Sequence, residues 1–102
     1  MSYRVELADK AKDELSKLPK NVQQKLLDRI TNLATEPHPT GSIRIKARKD
    51  CYRFRMGDYR VLYTVFEDYV VVLVLRIGHR REVYDHVESV ETIIERFRAS
   101  QE

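Results

Sequence analysis

The chain has 102 residues, of which 34% are charged and 42% apolar, with three glycines, three prolines and one cysteine. That fits a single domain over 1–102 with a modest core, and excludes a disordered or disulfide-stapled chain. The longest apolar run, Tyr69–Leu75, is far too short to span a bilayer and the opening MSYRVELADK has no signal-peptide core, so a soluble, cytoplasmic protein with no membrane partner is expected.

Taken in chain order, YRVEL alternates apolar and polar residues and predicts a short first strand. From Asp9 to Leu18, Ala11, Leu15 and Leu18 recur at helical spacing, and Pro19 then breaks or restarts the helix. A second helix is expected from about Lys20 to Thr35, with Val22, Leu26, Ile30 and Leu33 on one stripe. EPHPTGS, residues 36–42, is a loop. The period then switches: CYRFRM predicts a strand, Gly57-Asp58 a tight turn, YRVLYTVF a second strand, Glu67-Asp68 another turn, and YVVVLVLRI a last strand. The β-branched residues of that last strand run unbroken, which implies burial on both faces and a central place in the sheet. Val90, Ile93, Ile94 and Phe97 space a final helix from about Val87 to Ala99. The predicted fold is α+β, order β-α-α-β-β-β-α, with a helical hairpin packed on a small, mainly antiparallel twisted sheet.

Net charge is +3, but it is unevenly placed: +1 over residues 1–42, +5 over 43–60, +1 over 61–81 and −4 over 82–102. The basic segment IRIKARKDCYRFRMGDYR therefore suits a polyanion. Alternation sets Arg53 and Arg55 on the strand face opposite Tyr52, Phe54 and Met56. Arg60 follows the next turn, and Gly78 releases the last strand into His79, Arg80 and Arg81. Neighbouring antiparallel strands would bring these groups onto one surface, and a cluster of planar guanidinium forks favours phosphate. The competing reading pairs them with carboxylates, Glu88, Glu91 and Glu95 on the tail helix, or Asp58 and Asp68 beside Arg60.

Other chemistries find no support in the spacing. His38, His79 and His86 have no metal-ligand pattern, Cys51 stands alone, and no glycine-rich phosphate loop or serine nucleophile constellation occurs. No metal or cofactor is expected.

The motifs DCYRFR, GDYRVLY and GHRREVY, read together with the order of elements, resemble the RelE toxin family of bacterial toxin–antitoxin systems over nearly all of the chain. The resemblance implies a ribosome-dependent, metal-independent endonuclease that cuts mRNA in the A site, its 2′-hydroxyl attacking the adjacent phosphate. It implies catalytic roles for Arg53, Arg55, Arg60, Arg80 and Tyr84. Diffuse contacts to mRNA or ribosomal RNA fall on Arg44, Lys46, Arg48, Lys49 and Arg81, while Arg76 and Arg81 could also be structural or steering residues. A cognate antitoxin in a heteromeric complex is implied as well, with the acidic segment Glu88–Phe97 a candidate for exchange with it. Two alternatives share the fold: a ParE-like inhibitor of DNA gyrase and a catalytically silent antitoxin-binding module.

The best-known members carry lysines where this chain has Arg53 and Arg55. Arginine, with a pKa above about 12, is deprotonated in fewer than roughly one molecule in 10⁵ at pH 7, so these two can hold phosphate but cannot act as the base. Proton transfer is left to Tyr84, its phenolate favoured by flanking arginines, or to His79, whose ordinary pKa near 6.5 leaves it mostly neutral.

Overall fold

A computed structural model describes residues 2–45, 50–79 and 87–101. Strand β1 (Arg4–Leu7) leads into helices α1 (Asp9–Ser16) and α2 (Lys20–Asn32). Strands β2 (Ile43–Arg44), β3 (Cys51–Met56), β4 (Tyr59–Phe66) and β5 (Val71–His79) follow, then helix α3 (Val87–Gln101). They form one five-stranded sheet in the order β1-β5-β4-β3-β2. Only the β1–β5 pair is parallel, and the remaining pairs are antiparallel.

The break between α1 and α2 has local causes. Pro19 is extended, at ψ 146°, so it cannot continue α1, yet its carbonyl accepts the N–H groups of Val22 and Gln23 and starts α2. The Gln23 side-chain amide donates to the Leu18 carbonyl at 2.8 Å, occupying an acceptor left open where α1 stops. The hairpin lays Ala11, Leu15, Leu26, Ile30 and Leu33 on one sheet face, against Phe54, Val61, Tyr63, Val65, Val72, Val74 and Ile77. On the other face Val90 and Ile94 of α3 cover Cys51, Leu62, Phe66, Val71, Leu73 and Leu75. Burying those two α3 side chains stabilises the contact by about 3–6 kcal/mol. Phe97 adds a stacked ring, 4.8 Å from that of Phe66. Burial on both sides explains the unbroken apolar run of β5.

Several details differ from the expected pattern: α1 stops at Ser16, short of Leu18, and β5 runs on to His79. The two-residue β2 adds an edge strand, too short to carry an alternation. Helix α2 ends at Asn32, and residues 33–35 continue as turns. β5 begins at Val71, because the preceding turn holds Val70 at φ 54°, a left-handed conformation that β-branched residues resist. None of the helices among the described residues is long and apolar enough to cross a membrane.

Candidate active site

Cross-strand pairing fixes which side chains share a face. Arg55 lies directly opposite Arg60, Arg53 opposite Leu62, and Cys51 opposite Thr64. Arg60 in turn faces Gly78 of β5, which puts no side chain beside it. The α3 face of the sheet is therefore split. Its Cys51, Leu62, Phe66 and Leu73 end is apolar and capped by α3, and its other end is a row of Arg53, Arg55 and Arg60.

Two like charges directly opposite each other are normally avoided, so the Arg55–Arg60 pair needs a reason. Acids pair some of the other cations: Arg4 with Glu6, Lys17 with Asp13, Arg76 with Glu14, and Arg98 with Asp68. Among the described residues, Arg53 and Arg55 have neither an ion pair nor a side-chain hydrogen bond, so Glu91 and Glu95 do not neutralise them. Arg55 is exposed and Arg53 half-buried. Forks of this kind, held on a rigid hairpin with donors open, suit an anion with several acceptor oxygens.

Two candidates leave the row. His79 pairs with Tyr59, not with Arg60, and meets the Tyr59 ring edge-on at 5.1 Å. Since Tyr59 packs towards the helical hairpin, the alternation of β5 turns His79 away from the arginines. Arg44 pairs with Tyr52 and sits over its ring at 5.7 Å, again on the hairpin side. It lines an open recess of about 470 Å³ with His38, Ser42 and Tyr52, whose ring also meets His38 at 4.6 Å. Lys46, Arg48, Lys49, Arg80, Arg81 and Tyr84, together with the Glu88 side chain, lie outside the described residues.

Arg76 is structural in a way the sequence did not show. It is 5% exposed, and its Nε and Nη2 donate to the two Glu14 carboxylate oxygens at 3.0 and 2.9 Å. The Ile77 N–H donates to the same carboxylate at 3.0 Å. Glu14 was legible only as one of several acids on an amphipathic helix. Nothing in its neighbourhood signals a partner 62 residues away. Among the described residues no group of three or more His, Cys, Asp or Glu gathers as metal ligands would.

Comparison with known proteins follows the same lines. A family model described as the ParE toxin of the type II toxin–antitoxin system parDE matches residues 5–84. The mRNA interferase toxin RelE of Escherichia coli K12 is 26% identical over 96 residues, covering 92% of this chain and 100% of RelE. Toxin RelG of Mycobacterium tuberculosis is 28% identical over 85 residues, covering 82% of this chain and 98% of RelG. Among solved structures, an E. coli RelE with two arginine-to-alanine substitutions in the free state superposes with TM-score 0.73 at 26% identity, covering 94% of this chain and 98% of that one. The archaeal RelE–RelB complex of Pyrococcus horikoshii matches with TM-score 0.70 at 33% identity, covering 78% and 97%.

Proposed function

The chain belongs to the RelE/ParE family of type II toxin–antitoxin toxins, and from that membership we propose that it is an mRNA interferase. The observation that carries this reading is the row of Arg53, Arg55 and Arg60, in which Arg53 and Arg55 have no ion pair or side-chain hydrogen bond among the described residues. A phosphodiester entering the row meets several fixed donors where charge develops in a pentavalent transition state. The substrate is mRNA in the ribosomal A site. Its 2′-oxygen attacks the adjacent phosphorus and the bond to the 5′-oxygen breaks, leaving a cyclic phosphate and a free 5′-hydroxyl.

Each residue then has a chemical task. Arg53, Arg55 and Arg60 orient and neutralise the phosphate, and Arg80 joins them at the reacting oxygens. Tyr84 takes the 2′-hydroxyl proton, and a proton is returned to the leaving 5′-oxygen. Tyr84 is preferred to His79 because His79 is turned to Tyr59. Lys46, Arg48, Lys49 and Arg81 supply sequence-independent contacts to RNA backbone. No step needs a metal. The partner is a cognate antitoxin, as in the RelE–RelB complexes of the structural relatives.

A second reading has one specific support, the ParE description of the matching family model. It makes the chain an inhibitor of DNA gyrase that does not cut RNA. Primer extension on mRNA in a purified translation system separates the two. Cleavage within codons, abolished by Arg80→Ala or Tyr84→Phe with the fold intact, is the expected result. Intact mRNA together with arrested gyrase supercoiling would transfer the assignment to the second reading.

A further inference from the structure

We propose that Glu14 and Arg76 form a clamp that positions the outer half of β5, from Ile77 to His79, against the arginine row. Its catalytic consequence rests on the nuclease reading, while its mechanical consequence does not.

The geometry begins with a missing neighbour. β1 pairs with Val71–Val74, and the Ala8 N–H donating to the Val74 carbonyl at 2.9 Å is the last backbone–backbone hydrogen bond of that edge among the described residues. From Leu75 onward, β4 is the one strand that pairs with β5 among the described residues. At the same level the β4–β5 ladder shifts register: Tyr63 pairs with Val74 and Leu62 with Arg76, so Leu75 is an extra residue. Such a bulge re-aims the strand beyond it. The outer half of β5 thus departs from the direction set by β1 just where it loses its strand partner.

Glu14 stands in for the missing strand. Its carboxylate takes the Ile77 N–H, a donor at the open edge, and both remaining bonds come from Arg76. Three donors from two consecutive residues converge on one side chain of α1. The side chains are 6% and 20% exposed, and Arg76 Nη1 is buried without any hydrogen-bond partner. A buried ion pair with an orphaned donor is a poor way to stabilise a fold, since apolar isosteres generally do as well or better. It is a good way to fix a backbone at one height. The residue after Ile77 is Gly78, the partner of Arg60, so the height of this backbone sets the surface beside the arginine row. A misplacement of about 1 Å at a reacting centre costs about 100-fold in rate.

The test uses the full chain released from its antitoxin, with the double variant Glu14→Leu/Arg76→Met, which removes the charges together, and Glu14→Gln, which keeps one acceptor. Thermal unfolding, kcat and KM for mRNA cleavage on programmed ribosomes, and amide exchange at Ile77, Gly78 and His79 are measured. The expected double variant melts within a few degrees of wild type, exchanges these amides at least about 10-fold faster, and loses about 10-fold or more in kcat with KM within about two-fold. Glu14→Gln falls between it and wild type in both exchange and kcat. A folded double variant with wild-type kcat, or with unchanged exchange at the three amides, overturns the clamp. If the double variant does not fold, Glu14→Gln decides, and a wild-type kcat with wild-type exchange overturns the proposal. If the wild type itself leaves mRNA uncut, the nuclease reading fails on its own, and the exchange comparison alone judges the clamp.

Discussion

Tyr63→Phe tests how the loop before the basic segment is held. The Tyr63 ring is fully buried between Tyr52 and Phe54, and its hydroxyl donates to the Pro37 carbonyl at 2.8 Å across 26 positions. Removing the hydroxyl deletes this bond and strands a part-buried carbonyl, which costs about 1–2 kcal/mol near pH 8. In a domain of this size that lowers the Tm by roughly 4–8 °C per kcal/mol. The penalty is itself pH-dependent. Burial, the largest influence, pushes the phenol above its ordinary value of 10.0; a Ser42 hydrogen bond opposes this and the nearby Tyr52 adds to it. The folded state thus holds the proton more tightly. Its contribution is fully present below about pH 10 and is lost as pH rises through the raised folded value, at up to about 1.4 kcal/mol per pH unit. Phenylalanine has no such proton, so the wild type's advantage narrows from pH 8 to pH 11. Urea unfolding at both pH values and fixed ionic strength measures the gap. A constant gap, or equal stability at pH 8, would refute the reasoning.

Three further outcomes are expected. On the nuclease reading, Arg53→Gln with Arg55→Gln removes two phosphate donors that no acid among the described residues pairs with, and should lower cleavage by about 100-fold or more while stability in urea moves by less than about 0.5 kcal/mol. Glu14→Ala alone leaves the buried Arg76 guanidinium uncompensated and should destabilise by about 3–5 kcal/mol in chemical denaturation. Val70→Gly relieves a left-handed β-branched residue at φ 54° against the entropy that glycine loses, for a net gain of about 0.5 kcal/mol in the same assay.

The parts of the fold legible in sequence were those written in local periods. Leu26 and Ile30 announced their helix, the VVVLVL run its double burial, and Gly57-Asp58 a tight turn, because each signal lies within a few residues of the element it specifies. The arginine row was legible for the same reason, since Arg53 and Arg55 alternate with Phe54 and only one face of β3 can take an aromatic core. What escaped depends on distance or on a one-residue shift. The Glu14–Arg76 contact joins a helix to a strand across most of the chain. Arg44 belonged to the same basic segment in sequence, but pairing with Tyr52 sets it on the face opposite the row, and His79 was close to Arg80 in sequence but one step out of phase with Arg60. A period of two makes a neighbour in sequence a stranger in space.

The parallel ladder of β1 with β5 has a consequence for the order of events in synthesis. It joins Arg4 to Val71, so the opening strand leaves the ribosome long before its only partner exists. The β3–β4 hairpin closes through a two-residue connection and can form early, carrying Arg53, Arg55 and Arg60 with it. β5 emerges after both of its neighbours and must insert between them at the centre of the sheet. Until it does, Arg60 has no Gly78 beside it. On the nuclease reading, the stretch of synthesis between residues 60 and 79 is made with the arginine row already present and the strand beside it still missing. The central strand of the sheet is thus made after both of its neighbours, and the sheet can close only once the last third of the chain is reached.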